Sequence, residues 1–403
     1  MFDNKIINEI FSFLDPIHLT KCRQVCSMWK LAADNLLEKE NLWRKSCQED
    51  FSDIYKTAFY KTKSKLSWRN LYRSLFLWSK LRKATETRAE IDLVAHIGHE
   101  ICGFQVLRDG EIGIHTTRAI LYYDIKTLKQ SNRRSISGNY FRYSENHDTI
   151  LVRGQTSHLY VINKFERSEQ QLYLILPYVK SFLLNNNVLY YVTLNNDILM
   201  CDLFNEKTKS YLLAQMSDTV MCFGYKNGVH ILTSQRNIYS IIDKEVIFQR
   251  TLDEAPNLMH MLNEYNFLEN LDWRAYFAWR FQLRHDIPQR SIRDITCVKV
   301  YGKIVFLGSN SGEFQIYHSP YLNNELNLFN TEPVKQYNFA NRDGPLETSN
   351  AILQIDVIEG EDGHTVLVAM SKRIVVLIFS HSIRRNLSSC NKLQILETLR
   401  SLI

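Results

Sequence analysis

Apolar positions in the first forty residues recur at helical spacing, in two sets. Ile6, Ile7, Ile10, Phe13 and Leu14 form the first; Cys22, Val25, Cys26, Trp29, Ala32, Ala33, Leu36 and Leu37 form the second. Both follow the i, i+3, i+4, i+7 pattern of an amphipathic helix. Asp15-Pro16 lies between them, and proline ends a helix because it has no N–H and collides with the preceding turn. A helical unit of roughly 40 residues is too small to be stabilised by its own core, so it needs a partner surface. Leu71, Leu75, Trp78 and Leu81, with Trp68 and Tyr72, repeat the helical spacing within Tyr55–Lys83. Leu393–Ile403 reads as a short amphipathic helix, or in part as a strand closing the domain before it.

From about residue 91 the texture changes to short β-rich runs separated by Gly, Asn, Ser and Asp. One pattern repeats: an apolar strand, a tight polar turn and a second strand. Aligning the first apolar residue of each second strand gives Ile120, Leu159, Ile198, Ile238, Phe314 and Ile374. The first three intervals are 39, 39 and 40 residues, the fourth is 76 and the last is 60. The interval of 76 leaves room for a degenerate copy near Tyr276, where Leu258–Ile287 is crowded with aromatics. That region reads either as a poor repeat or as a helical insertion. The interval of 60 implies an insertion, placed at Leu322–Asn341. Copies at a period near 40 predict an all-β propeller of four-stranded blades, seven in number, stacked radially so that each blade covers its neighbours.

The N-terminal pattern resembles the F-box. Leu14-Asp15-Pro16, Leu19, Val25-Cys26-x-x-Trp29 and Leu42-Trp43 stand at that family's spacing, while Phe2-Asp3 replaces its Leu-Pro opening and Lys5 a usual Glu. Trp68-Arg69-Asn70-Leu71-Tyr72 resembles the Trp-Arg-x-x-Tyr element that follows many F-boxes. Residues 306–318 look like the end of a WD-repeat blade, and Gly98-His99 precedes Tyr123-Asp124 at WD-repeat spacing, yet the chain holds no Trp-Asp dipeptide. The resemblance is therefore to F-box proteins with a diverged WD-repeat-like propeller. It implies a three-helix F-box at 1–47, a basic helical linker at 48–90 and a propeller at 91–403. It further implies a non-catalytic substrate receptor of an SCF-type cullin–RING ubiquitin ligase, docked to a Skp-family adaptor and through it to a cullin. The adaptor-facing set carried over is Phe2, Ile6, Ile7, Pro16, Leu19, Val25, Cys26 and Trp29. The alternative is an F-box-containing scaffold without ligase function.

Charge sharpens this division. Residues 1–90 hold 17 Lys and Arg against 11 Asp and Glu, whereas the remainder holds 32 of each. Tyr55–Lys83 alone carries nine basic residues and no acidic one, interleaved with aromatics. A single-stranded nucleic acid could be held by such a stretch through charge and stacking, but amphipathic packing against the β-domain accounts for it more simply. Eight scattered cysteines and the absence of a signal-like segment or apolar span suggest a cytoplasmic or nuclear protein with free thiols. Cys22-x-x-x-Cys26 and His96-x-x-His99 lack the second ligand pair of a zinc site. No phosphate loop, nucleophile elbow or His-Glu-x-x-His helix occurs, so neither metal, cofactor nor catalysis is expected. Arg118, Arg153, Arg236 and Arg373 fall at comparable turn positions of their hairpins and are the candidates for holding a protein target, phosphorylated motifs included.

Overall fold

A computed structural model describes residues 4–62, 66–93, 98–164, 171–203, 209–252, 268, 295–318, 332–340, 350–361 and 363–381. Six α-helices lead the chain: α1 (Asn4–Ser12), α2 (Pro16–Cys22), α3 (Ser27–Leu37), α4 (Glu40–Asp50), α5 (Tyr55–Thr62) and α6 (Trp68–Leu77). Asp15 starts α2 by capping: its carboxylate accepts from the His18 backbone N–H at 2.8 Å, and Pro16 fills the first helical position. The second apolar set is not one continuous helix, because α2 stops at Cys22 and α3 begins at Ser27. Cys22 and Cys26 therefore do not share a helical face. Ser67 caps α6 through the Asn70 N–H, and Leu71, Leu75, Trp78 and Leu81 are buried as their spacing requires.

Among the described residues, the β-domain holds six antiparallel four-stranded sheets. Blade I holds Ile101–Val106, Glu111–Thr116, Ala119–Asp124 and Ile136–Ser137; blade II holds Tyr140–Glu145, Thr149–Gly154, Leu159–Asn163 and Gln171–Leu176. Blade III holds Val179–Asn185, Val188–Thr193, Asp197–Asp202 and Ser210–Gln215; blade IV holds Val220–Tyr225, Val229–Thr233, Asn237–Ile242 and Glu245–Thr251. Blade V holds Ile295–Tyr301, Ile304–Ser309, Glu313–His318 and Lys335–Asn338. Blade VI holds Ile352–Glu359, Gly363–Met370 and Arg373–Ser380, and its outermost strand is Thr85–Asp92, from the N-terminal side of the whole domain.

The first strands of blades V, VI, I, II, III and IV touch one another in that order. Apolar clusters fill the spaces between successive sheets, for example Ile91, Phe104, Ile114, Leu121 and Ile374 between blades VI and I. Meander sheets with their first strands gathered on a common axis are the arrangement of a β-propeller. The six aligned residues Ile120, Leu159, Ile198, Ile238, Phe314 and Ile374 all lie in third strands, and all are fully buried. The expected copy near Tyr276 and the C-terminal segment Leu393–Ile403 lie outside the described residues. The expected insertion is shorter than its span suggests, since Lys335–Asn338 is the outer strand of blade V.

Gly363 opens the second strand of blade VI where a Cβ would meet the Phe379 carbonyl oxygen at 1.8 Å. Backbone cannot retreat from a ladder partner as a side chain can. Gly363→Ala is therefore expected to cost about 3 kcal/mol, the upper end for overpacking, read as a lowered midpoint of denaturant unfolding.

Candidate docking surfaces

Helix α1 has two apolar faces. Ile7 and Phe11 point inward, where Phe11 meets the Trp29 ring edge-on at 5.2 Å between centroids. Leu19, Ala33 and Leu37 complete this small core. Ile6 and Ile10 lie on the other side of α1 and Phe13 just past its end, spaced i, i+4, i+7, and all are exposed, Phe13 at 84%. Val25, at 62%, and Leu31 are exposed on the α2–α3 turn and on α3. Large apolar side chains left together in water mark a surface awaiting a partner.

This sorts the adaptor-facing residues expected from sequence. Ile6, Val25 and Cys26 are at the surface and Trp29 is half-buried. Ile7, Pro16 and Leu19 are buried instead, so their side chains hold the unit together rather than offering contact. Phe2 lies outside the described residues. Ile10, Phe13 and Leu31 are exposed and were not in the expected set; the signal for Ile10 and Phe13 was the second helical stripe they make with Ile6.

The helices are fixed to the ring on one side. Ile54 packs on the Gly302 turn of blade V, α5 lies against the Arg108–Gly110 turn of blade I, and Ser74 reaches Gly363 and Glu359 at the blade VI turn. Each of these turns joins a first strand to a second. Glu359 is the centre of the attachment: it accepts from Ser74 Oγ, from Trp78 Nε1 at 2.8 Å, and bonds His364 Nδ1 at 2.8 Å. Trp78 also stacks on His364 with centroids 3.9 Å apart. Burial works to raise the Glu359 pKa, but His364 and the hydrogen bonds from Ser74 and Trp78 outweigh it and hold the carboxyl below its ordinary range. A Ser, a His and a Glu thus meet, yet both the His and the Glu are wholly closed to solvent and Ser74 is equally buried, so the group binds the domains and reaches no substrate. A second tie joins Lys61 of α5 to Asp356 of blade VI, both largely buried.

The aromatics of Tyr55–Lys83 are mostly spent inside. Phe59 and Trp68 stack at 4.2 Å, Trp43 and Tyr72 meet at 5.6 Å, and Trp78 is buried. These rings pack the linker and are not free to stack on bases. His99 bonds Thr116 at 3.0 Å, and the described residues contain no cluster of three metal-type side chains. No helix among them is long and apolar enough to cross a membrane.

The opposite face of the ring carries the turns between second and third strands. Arg118, Arg236 and Arg373 lie at these turns in blades I, IV and VI, and Arg153 is one residue from the corresponding end in blade II. They share a face. Arg118 covers Gly98, while Arg373 pairs with Glu90 at 3.2 Å and donates to the Phe339 carbonyl at 2.5 Å. Arg153 lies over the Phe141 ring at the axis.

One feature of this face has no counterpart in the sequence pattern. In each of the six described blades the pairing register slips after the first residue of the first strand, so one extra residue bulges there: Cys102, Phe141, Lys180, Met221, Thr296 and Leu353. A bulge re-aims the side chain it inserts. Lys180 uses this to donate to the Val220 carbonyl of blade IV at 2.7 Å, and Thr296 to the Ile352 carbonyl of blade VI at 2.6 Å. Phe141, Met221 and Leu353 are left exposed. Apolar side chains beside arginines make up a surface of the kind protein interfaces favour.

An F-box-like family model matches residues 4–49. No curated protein matches the chain by sequence. Among solved structures, the β-propeller domain of Myceliophteria thermophila Cps50 (Swd1) covers 73% of this chain and 98% of its own at 11% identity and a TM-score of 0.44. The N-terminal domain of Nup159 covers 70% and 76% at 11% identity, TM-score 0.37. Hsv2 of Kluyvelomyces marxianus covers 66% and 74% at 9% identity, TM-score 0.32. These overlaps are low, and the propeller assignment stands on the sheet topology. The chain carries an F-box-like unit at 4–49, followed by an all-β propeller domain.

Proposed function

We propose that this protein is the substrate-recognition subunit of an SCF-type cullin–RING ubiquitin ligase, and performs no chemistry itself. A Skp-family adaptor covers Ile6, Ile10, Phe13, Val25, Cys26 and Leu31, with Trp29 at the margin, and brings the cullin with it. The helices from α4 to residue 83 act as a stiff spacer. The ring face opposite them holds the protein target, with Phe141, Met221 and Leu353 in contact and Arg153 beside them. Holding a target at fixed distance from a ubiquitin-loaded enzyme raises its effective concentration, which is the whole catalytic contribution such a subunit makes.

The observation that carries this reading is the unpartnered stripe of α1 on a unit locked to the ring by Glu359 and Lys61. A flexible tether would need neither buried tie. The scaffold alternative shares the adaptor contact but stops there. Affinity-tagged full-length protein is expected to co-purify the adaptor and a cullin in comparable amounts. Adaptor without cullin would favour the scaffold, and neither would remove both readings.

A further inference from the structure

Where the helices meet blade V they leave a cavity of about 450 Å³ that includes neither the exposed stripe of α1 nor the far face of the ring. Its walls are the start of α2, the end of α4 with the turn after it, one side of α6, and the Tyr301–Ile304 turn of blade V. The buried part of this lining is largely apolar, with Leu75, Trp78 and Ile304 beside Tyr72. Phe51 and Phe76 are half-buried, and Phe51 meets the Tyr72 ring edge-on at 5.5 Å between centroids. Three carboxylates, Asp15, Asp50 and Asp53, line the same space and are exposed, so they stand at its mouth. Against them are one lysine, Lys303, and His318. Burial first, and Lys303 second, push the His318 pKa down, so this imidazole is neutral near pH 7. The lining therefore carries a net negative charge. Asp50 accepts from the Tyr72 hydroxyl at 2.7 Å, a neutral donor that leaves the charge in place. Tyr301, only 3% exposed, lines the cavity too; its hydroxyl has no hydrogen-bond partner, although Glu359 lies close enough to act on it.

We propose that this cavity binds a small organic ammonium with an apolar or aromatic body, the cation toward Asp50 and Asp53 and the body against Phe51, Phe76 and Trp78. Carboxylates form charge-assisted hydrogen bonds with an ammonium, and aromatic faces attract it further. An anion of the same shape would meet three like charges, and a neutral body would forgo both attractions. The volume falls in the usual range of roughly 300–1,000 Å³ for small-ligand sites, and domain boundaries are among the places where such sites occur. A ligand seated here touches the helices and blade V at once. It stabilises the joint by binding only while the two are docked. This inference does not depend on the adaptor reading.

The test is calorimetric titration of the full chain with phenethylamine and, separately, with phenethyl alcohol, its neutral isostere, at neutral pH and low, constant ionic strength. The wild type is expected to bind the amine roughly tenfold more tightly than the alcohol. Asp50→Asn combined with Asp53→Asn is expected to narrow that preference to within about threefold, with the alcohol's affinity unchanged. Both positions are exposed, and asparagine at 50 keeps an oxygen for the Tyr72 hydroxyl, so the variant stays folded. Ser79→Trp, at an exposed position of the lining, should fill the opening and exclude both probes. No binding of the amine, equal affinity for amine and alcohol in the wild type, an amine preference that survives the double variant, or amine binding untouched by Ser79→Trp would each overturn the proposal.

Discussion

Ile10→Asp combined with Phe13→Asp is expected to reduce capture of a Skp-family adaptor at least a hundredfold while the chain stays folded. Both side chains are exposed in the free protein, so charging them costs the fold little. In a complex they would be buried, and an unpaired carboxylate in an apolar interface costs several kcal/mol. Leu19→Asp is the contrasting case. Leu19 is fully buried within the helical unit, and its replacement should unfold that unit rather than test the interface. Quantitative pull-down, with circular dichroism to check the helices, separates the two. Undiminished binding by the double variant would place the adaptor elsewhere.

Glu359→Ala is expected to destabilise the joint between helices and ring by about 3–5 kcal/mol, the usual consequence of removing one partner from a buried charged network. Ser74, Trp78 and His364 would all lose their common acceptor. Because Thr85–Asp92 follows directly from these helices and completes blade VI, the damage should reach the sheet. Limited proteolysis ought to cut first near residues 78–84. A pH dependence accompanies this. The folded-state pKa of Glu359 is depressed, so its stabilisation is present above the unfolded value, about 4.3, and is lost as pH falls through the folded value. Glu359→Gln should therefore show a flatter loss of stability on acidification than the wild type. Identical acid profiles would mean that Glu359 is not what holds the joint.

Much of this architecture was legible in the chain. The aligned repeat places a fully buried residue in the third strand of each described blade, because each blade must present the same apolar position to its neighbours. Asp15-Pro16 ends α1, and the Leu71–Leu81 stripe is buried. Other features were not legible. Thr85–Asp92 reads as the end of a linker, but it pairs with Arg373–Ser380, nearly three hundred residues away; local pattern carries no information about which distant edge a strand will complete. The recurring bulges are likewise invisible, since one extra residue at a strand's start leaves apolar alternation intact.

For the site, residue types alone set which side chains could be apolar contacts or cations. Sequence determined that an F-box-like helical unit precedes a repeating β-domain, since period and capping chemistry are local properties. Tertiary structure decided which face of each element was left over. Ile7 and Leu19 went inside while Ile10 and Phe13 stayed out, because α1 and α3 pack along only one of the two apolar stripes that α1 offers. Arg373 pairs with Glu90 and the Phe339 carbonyl, a partnership that no local pattern encodes. Helical and strand periods fix the faces, but only the closing of the ring against the helices fixes which face meets water.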